Sequence, residues 1–122
     1  MSKVILIVDD RPFNVELLHV VLRKNGYTTL EAVDGKQGVE MARDQRPDII
    51  LMDKNMPVMD GLEATQILKA DNTTKDIPII FVTSSAMKGD REIILESGCD
   101  EYMSKPIDIY KVLEMVAQYA QG

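Results

Sequence analysis

A chain of 122 residues with a formal net charge of −6 and a single cysteine has the size of one domain and can bury roughly two-thirds of its unfolded surface. The acidic balance argues against a phosphate-backbone binder, which needs clustered lysine and arginine to displace counterions, and one cysteine excludes an internal disulfide or a cysteine-based metal site. No apolar run approaches the ~18 residues that span a bilayer, and Met1-Ser2-Lys3 leads straight into a strand-like run without a signal-peptide layout, so the expectation is a cytoplasmic protein not inserted in a membrane.

The first element is Val4-Ile5-Leu6-Ile7-Val8, an unbroken apolar run that stops at Asp9-Asp10. Strands apolar on both faces belong to parallel sheets covered by helices on both sides. Pro12 suits the first turn of a helix. Phe13, Leu17, Leu18, Val21 and Leu22 then recur at helical spacing, and Asn25-Gly26 supplies the stop. Residues 28–33 read as a second, more polar strand. Asp34 can cap a helix over 35–45 that Pro47 ends. Asp48 leads into the apolar run 49–52, a third strand ending at Asp53, after which Asn55, Pro57, Asp60 and Gly61 turn the chain into a helix carrying Leu62, Thr65, Ile67 and Leu68. A fourth strand spans 77–83, with Pro78 near its start where it is tolerated. A helix over 88–97 carries Ile93, Ile94 and Leu95, with Gly98 as its left-handed cap. A short strand-like segment, 100–104, precedes Lys105-Pro106, and a last helix covers 107–120.

Strand and helix alternate five times with short connections, the pattern of a doubly wound α/β domain with a parallel sheet. The more polar second and fifth strands suit sheet edges, which fits the order 2-1-3-4-5. In an open α/β sheet, ligands bind at the carboxyl ends of the strands. Here that edge collects Asp9-Asp10, Asp53, Thr83 and Lys105. Asp53 taken alone reads as a turn or helix cap, and only its neighbours change that. Crowded carboxylates need a counter-charge, either a hard divalent cation or a nearby ammonium. Carboxylates, a backbone carbonyl and water are the ligands Mg²⁺ prefers, and it often completes its shell with phosphate oxygens. Thr83 offers a hydroxyl and Lys105 a positive charge, both suited to a phosphoryl group. No histidine or cysteine falls on this edge, which argues against zinc.

These residues resemble the receiver domain of response regulators in two-component signalling. The motifs are the acidic pair after strand 1, Asp53 with Met56-Pro57 and Asp60-Gly61, Thr83 after strand 4, and Lys105-Pro106. The resemblance covers the chain from Val4 to the last helix and implies a flavodoxin-like (βα)5 fold of order 2-1-3-4-5, with 1–122 as a single receiver domain. It implies that Asp53 is the nucleophile that takes a phosphoryl group from a histidine kinase or histidine phosphotransfer protein. Asp10 and Asp53, the Asn55 backbone carbonyl, and Asp9 directly or through water would hold Mg²⁺. Lys105 would bind a phosphoryl oxygen, and Lys105-Pro106 would be the family's cis peptide. Thr83 and Tyr102 would form the switch that repacks the helix 4–strand 5–helix 5 surface for a downstream target, the protein being a monomer or a phosphorylation-dependent dimer.

Other residues take simpler readings. His19, between core positions of the first helix, is expected to be solvated, and Cys99 to act as a small apolar residue. Lys54 departs from the apolar or neutral residue common after the nucleophile and is expected to point away from Asp53. Asn55 and Ser85 occupy positions that resemble those tuning phosphoryl lifetime. The expectation is a stand-alone phosphorelay protein without a DNA-binding output, catalysing only its own phosphotransfer and dephosphorylation. A receiver module of a hybrid kinase or multidomain regulator is the alternative. An aspartyl-phosphate hydrolase would want a second Asp where Asn55 stands. A flavin-binding domain would want a phosphate-cradling loop where Asp9-Asp10-Arg11-Pro12 stands.

Overall fold

The computed structural model describes residues 3–83, 88–104 and 106–120. Strands β1 (Val4–Val8), β2 (Thr28–Ala32), β3 (Ile49–Met52), β4 (Ile79–Thr83) and β5 (Glu101–Ser104) alternate with helices α1 (Pro12–Lys24), α2 (Gly35–Gln45), α3 (Gly61–Ala70), α4 (Lys88–Glu96) and α5 (Ile109–Ala120). The sheet is parallel throughout and ordered β2-β1-β3-β4-β5. Both polar strands are at the edges, where half-exposed positions can carry polar side chains.

Alternation along the central strands divides the core into two layers, because successive strand residues face opposite sides. Ile5, Ile7, Ile49, Leu51, Ile80 and Val82 pack against Leu18 and Leu22 of α1 and Val112 and Val116 of α5. Leu6, Val8, Ile50, Met52, Ile79 and Phe81 pack against Val39 and Ala42 of α2, Ala64 and Leu68 of α3 and Ile94 of α4. Each such side chain, fully withdrawn from water, contributes roughly 1.5–3 kcal/mol before ordering costs. Phe13 was expected in the apolar stripe of α1 but is 79% exposed, because that helix turns Val15, Leu18 and Leu22 inward instead. Ile93 and Leu95 likewise stay about half exposed, and only Ile94 of that run is buried.

Helix ends follow the local chemistry. Asp34 accepts the Gln37 amide at 2.8 Å to start α2, and Asp60 accepts the Glu63 amide at 2.9 Å to start α3. Gly98, at φ 95, takes the left-handed position after α4. Pro78 lies just before β4 rather than in it, so its missing N–H interrupts no bond within the strand.

His19 is not solvated. Its side chain is only 13% exposed, with Nδ1 on the Thr29 hydroxyl and Nε2 2.7 Å from the Glu31 carboxylate, tying α1 to β2. The turn of helix that buries Leu18 and Leu22 also lays this ring over β2.

Thr65 on α3 is fully buried, and its hydroxyl finds no hydrogen-bond partner among the described residues. A buried polar group left unpaired costs about 1–3 kcal/mol. Thr65→Val removes the hydroxyl while keeping the branched shape, and is expected to raise the unfolding free energy by about 1 kcal/mol. A urea midpoint at or below that of the parent protein would contradict this.

Candidate functional site

The site follows from strand register. Val8 of β1 lies beside Met52 of β3, and the ladder runs one step further: the Asp53 amide donates to the Val8 carbonyl at 2.9 Å, and the Asp9 amide to Ala32 at 3.1 Å. Asp9 and Asp53 therefore leave adjacent strands at the same level, with Asp10 next along the chain. One carboxylate oxygen from each of the three can be chosen so that all lie within 4.8 Å of one another. Asp53 is 4% and Asp9 5% exposed, while Asp10 reaches solvent.

Second contacts orient this group. Asp9 Oδ1 accepts the Arg11 amide at 2.9 Å, and the Asn14 side-chain amide donates to Oδ2 at 3.4 Å. On the other side, α3 begins directly against Asp53. A Cβ built on Gly61 would stand 3.0 Å from the Asp53 carbonyl carbon and nearer still to its oxygen. The Gly61 amide also donates to the Lys54 carbonyl at 2.9 Å, closing the loop that follows Asp53.

Like charges this close raise one another's energy, and burial of two of them strengthens the effect. A cavity of about 270 Å³ opens beside Asp9 and Asp10, and Glu16 and Glu31 on its walls extend the negative field. The donor set consists of carboxylate oxygens, without histidine or cysteine, which fits a hard cation of the Mg²⁺ class and not zinc. A second hollow of about 260 Å³ is lined by Arg11, exposed Phe13, Asn14, Leu17, Pro106 and Ile107.

The remaining expected site residues divide into two groups. Thr83 ends β4 opposite Ser104, at the same carboxyl edge as Asp53. Tyr102 pairs with Phe81 on edge strand β5 and packs, partly buried, against the second core layer. Asn55 is exposed in the loop two residues after Asp53, and Lys54 is half-buried beside it. Lys105, and with it the Lys105-Pro106 peptide, lies outside the described residues, as do Ser85 and the side chain of Thr83. Cys99 fits its apolar reading. It packs against the second layer, its thiol donates to the Ile94 carbonyl at 3.3 Å, and burial pushes its pKa up. Sequence reasoning read Asp60-Gly61 as a turn and as part of the family motif but missed the close approach to Asp53, which depends on where α3 docks.

Comparison with known proteins agrees with this geometry. The family model of the response regulator receiver domain matches residues 5–117. The polar-differentiation response regulator DivK of Brucella anthropi is 41% identical over 119 residues, which is 98% of this chain and 97% of the relative. The receiver domain of sensor histidine kinase PA1611 from Pseudomonas aeruginosa, solved with a magnesium ion coordinated in its active-site cleft, aligns over the whole of both chains at TM-score 0.93 and 35% identity. The chemotaxis response regulator CheY4 of Vibrio cholerae aligns over 98% of this chain and 99% of its own, at TM-score 0.90 and 25% identity. With the sheet order, the acidic edge and this match across nearly its full length, the chain belongs to the response regulator receiver domain family.

Proposed function

We propose that the protein is a phosphorelay response regulator whose Asp53 accepts a phosphoryl group from a phosphohistidine donor. The observation that carries this reading is the convergence of Asp9, Asp10 and Asp53 on one all-oxygen cluster at the carboxyl edge of the sheet. Asp9, Asp10, Asp53 and the Asn55 backbone carbonyl would hold Mg²⁺. Bound there, the cation offsets the negative charge of the carboxylates and the incoming phosphoryl oxygens.

The chain's own residues do the rest. An Asp53 carboxylate oxygen forms the new bond to phosphorus as the donor's P–N bond breaks. The imidazole nitrogen leaves with the electron pair and takes a proton from solvent, so an acyl phosphate and a neutral histidine result. Asp9, held by Arg11 and Asn14, keeps the acidic wall in place during transfer. The Lys105 ammonium and the Thr83 hydroxyl bind phosphoryl oxygens, and Tyr102 responds by repacking the α4–β5–α5 surface toward a downstream target. The hollow around Phe13, Leu17, Pro106 and Ile107 supplies apolar surface on which a histidine kinase or phosphotransfer protein can dock. In this reading the protein acts in the cytoplasm; among the described residues no helix is long and apolar enough to cross a membrane.

Likeness to the receiver of a sensor histidine kinase over its full length favours a second reading, in which this receiver works within a larger kinase. The phosphoacceptor chemistry is the same in both.

The test is incubation with acetyl phosphate, with Mg²⁺ or with a chelator, followed by intact-mass measurement. One added phosphoryl group is expected with Mg²⁺ and none with chelator. An unmodified mass in the presence of Mg²⁺ would overturn the reading.

A further inference from the structure

The loop from Lys54 to Asp60 carries the chain from Asp53 into α3 and is tied at several points. Its ends are joined by the Gly61 amide on the Lys54 carbonyl. Its far side is tied to α2 by the Gly35 amide on the Met59 carbonyl at 3.0 Å. A side chain at Gly35 would overlap that carbonyl. Between these ties the Met59 amide turns back to the Pro57 carbonyl at 2.7 Å, closing a γ-turn with Val58 at its centre at φ 69.

A β-branched residue is the type that left-handed backbone tolerates least. The other described non-glycine residue with positive φ, Arg46, caps the end of α2, where that conformation is routine. Val58 has no such excuse. Its side chain is 78% exposed, so its own packing does not offset the strain. The compensation comes from its neighbours: Met56 and Met59 pack on the core to either side, and Asp60 caps α3. Strain held in place by its surroundings beside a reactive group points to function. What the turn secures here is the path of Lys54, Asn55 and Met56.

We propose that Val58 is a positioning residue for the cation site. Its left-handed turn, locked by Met59 on Gly35, fixes the Lys54–Met56 backbone beside Asp53 and completes the site begun by the three carboxylates. This rests on the reading of that cluster as a cation site, and adds to it a residue that touches no ligand.

The test titrates Mg²⁺ alone by calorimetry into the parent protein, V58N, V58G and V58P, with amide exchange at Gly35 followed by NMR. Asparagine and glycine reach positive φ readily, whereas proline is fixed near −65° and cannot form this turn. V58N and V58G are expected to bind Mg²⁺ like the parent, and V58N to melt roughly 3–6 °C higher. V58P is expected to bind at least about tenfold more weakly. Its Gly35 amide should exchange at least about tenfold faster while amides of β1 and β3 keep their protection, which separates lost positioning from general unfolding. V58P binding Mg²⁺ as the parent does, or binding weakly with Gly35 still protected, would overturn the proposal. If V58P does not fold, V58N decides: no rise in melting temperature, or faster Gly35 exchange, overturns it. A parent protein that binds no Mg²⁺ overturns the cation-site reading itself, and the proposal with it.

Discussion

Gly61→Ala is expected to cost about 3 kcal/mol of stability, the upper end of what overpacking costs. The reason is space and not backbone freedom, because Gly61 is not among the residues with positive φ. A methyl group there meets the Asp53 carbonyl, and backbone cannot swing aside as a side chain can. Gly38 is the control. A Cβ at that position meets the Val8 methyl groups at 3.0 and 3.1 Å, contacts that small shifts can relieve, so Gly38→Ala should cost clearly less. The functional effect of Gly61→Ala should be larger still. To make room, α3 must move off Asp53, and a displacement of about 1 Å at a reacting group can lower a rate by about 10²-fold. Urea unfolding and acetyl-phosphate labelling of both variants provide the check. A Gly61→Ala protein as stable as Gly38→Ala would show that α3 does not sit against Asp53 this closely.

The same glycine marks the boundary of what the sequence makes legible. The alternation of apolar runs with helical spacing is local information, and it yields the element order, the parallel sheet and the edge positions of β2 and β5. It also brings the three carboxylates to one place in outline, because a strand that ends in a carboxylate delivers it to a known edge of the sheet. Side chains whose surroundings come from other elements are not local information. Phe13 and Leu18 are both apolar residues of α1, and only the docking angle of that helix exposes one and buries the other. His19 is polar between apolar neighbours and so reads as solvated, yet Thr29 and Glu31 on β2 receive it. The strained turn at Val58 is equally silent in sequence, since valine is the wrong residue to advertise positive φ. It is held by Gly35 and Met59, which lie 24 residues apart in the chain.

Removing charge from the acidic cluster is expected to strengthen the free fold and abolish its function. Two unit charges about 5 Å apart repel by roughly 3 kcal/mol at an effective dielectric of 20, and less where one of them is in solvent. Asp10 is the solvent-exposed member of the three. Asp10→Asn should therefore stabilise the metal-free protein by about 1 kcal/mol, seen as a melting temperature raised by roughly 3–6 °C. Magnesium should reverse the order. At a concentration about 100-fold above its dissociation constant, a ligand that binds only the folded state adds about 2.7 kcal/mol. The parent protein gains that increment, and Asp10→Asn should gain less than about a third of it at the same concentration. Asp53→Ala removes the nucleophile itself. After incubation with acetyl phosphate and Mg²⁺ its intact mass should stay unchanged while the parent gains one phosphoryl group. Thermal melts with and without Mg²⁺, run alongside the mass measurement, separate the two roles. A metal-free Asp10→Asn protein no more stable than the parent would show that repulsion within the cluster does not weaken the fold. Phosphoryl uptake by Asp53→Ala would place the acceptor on another residue.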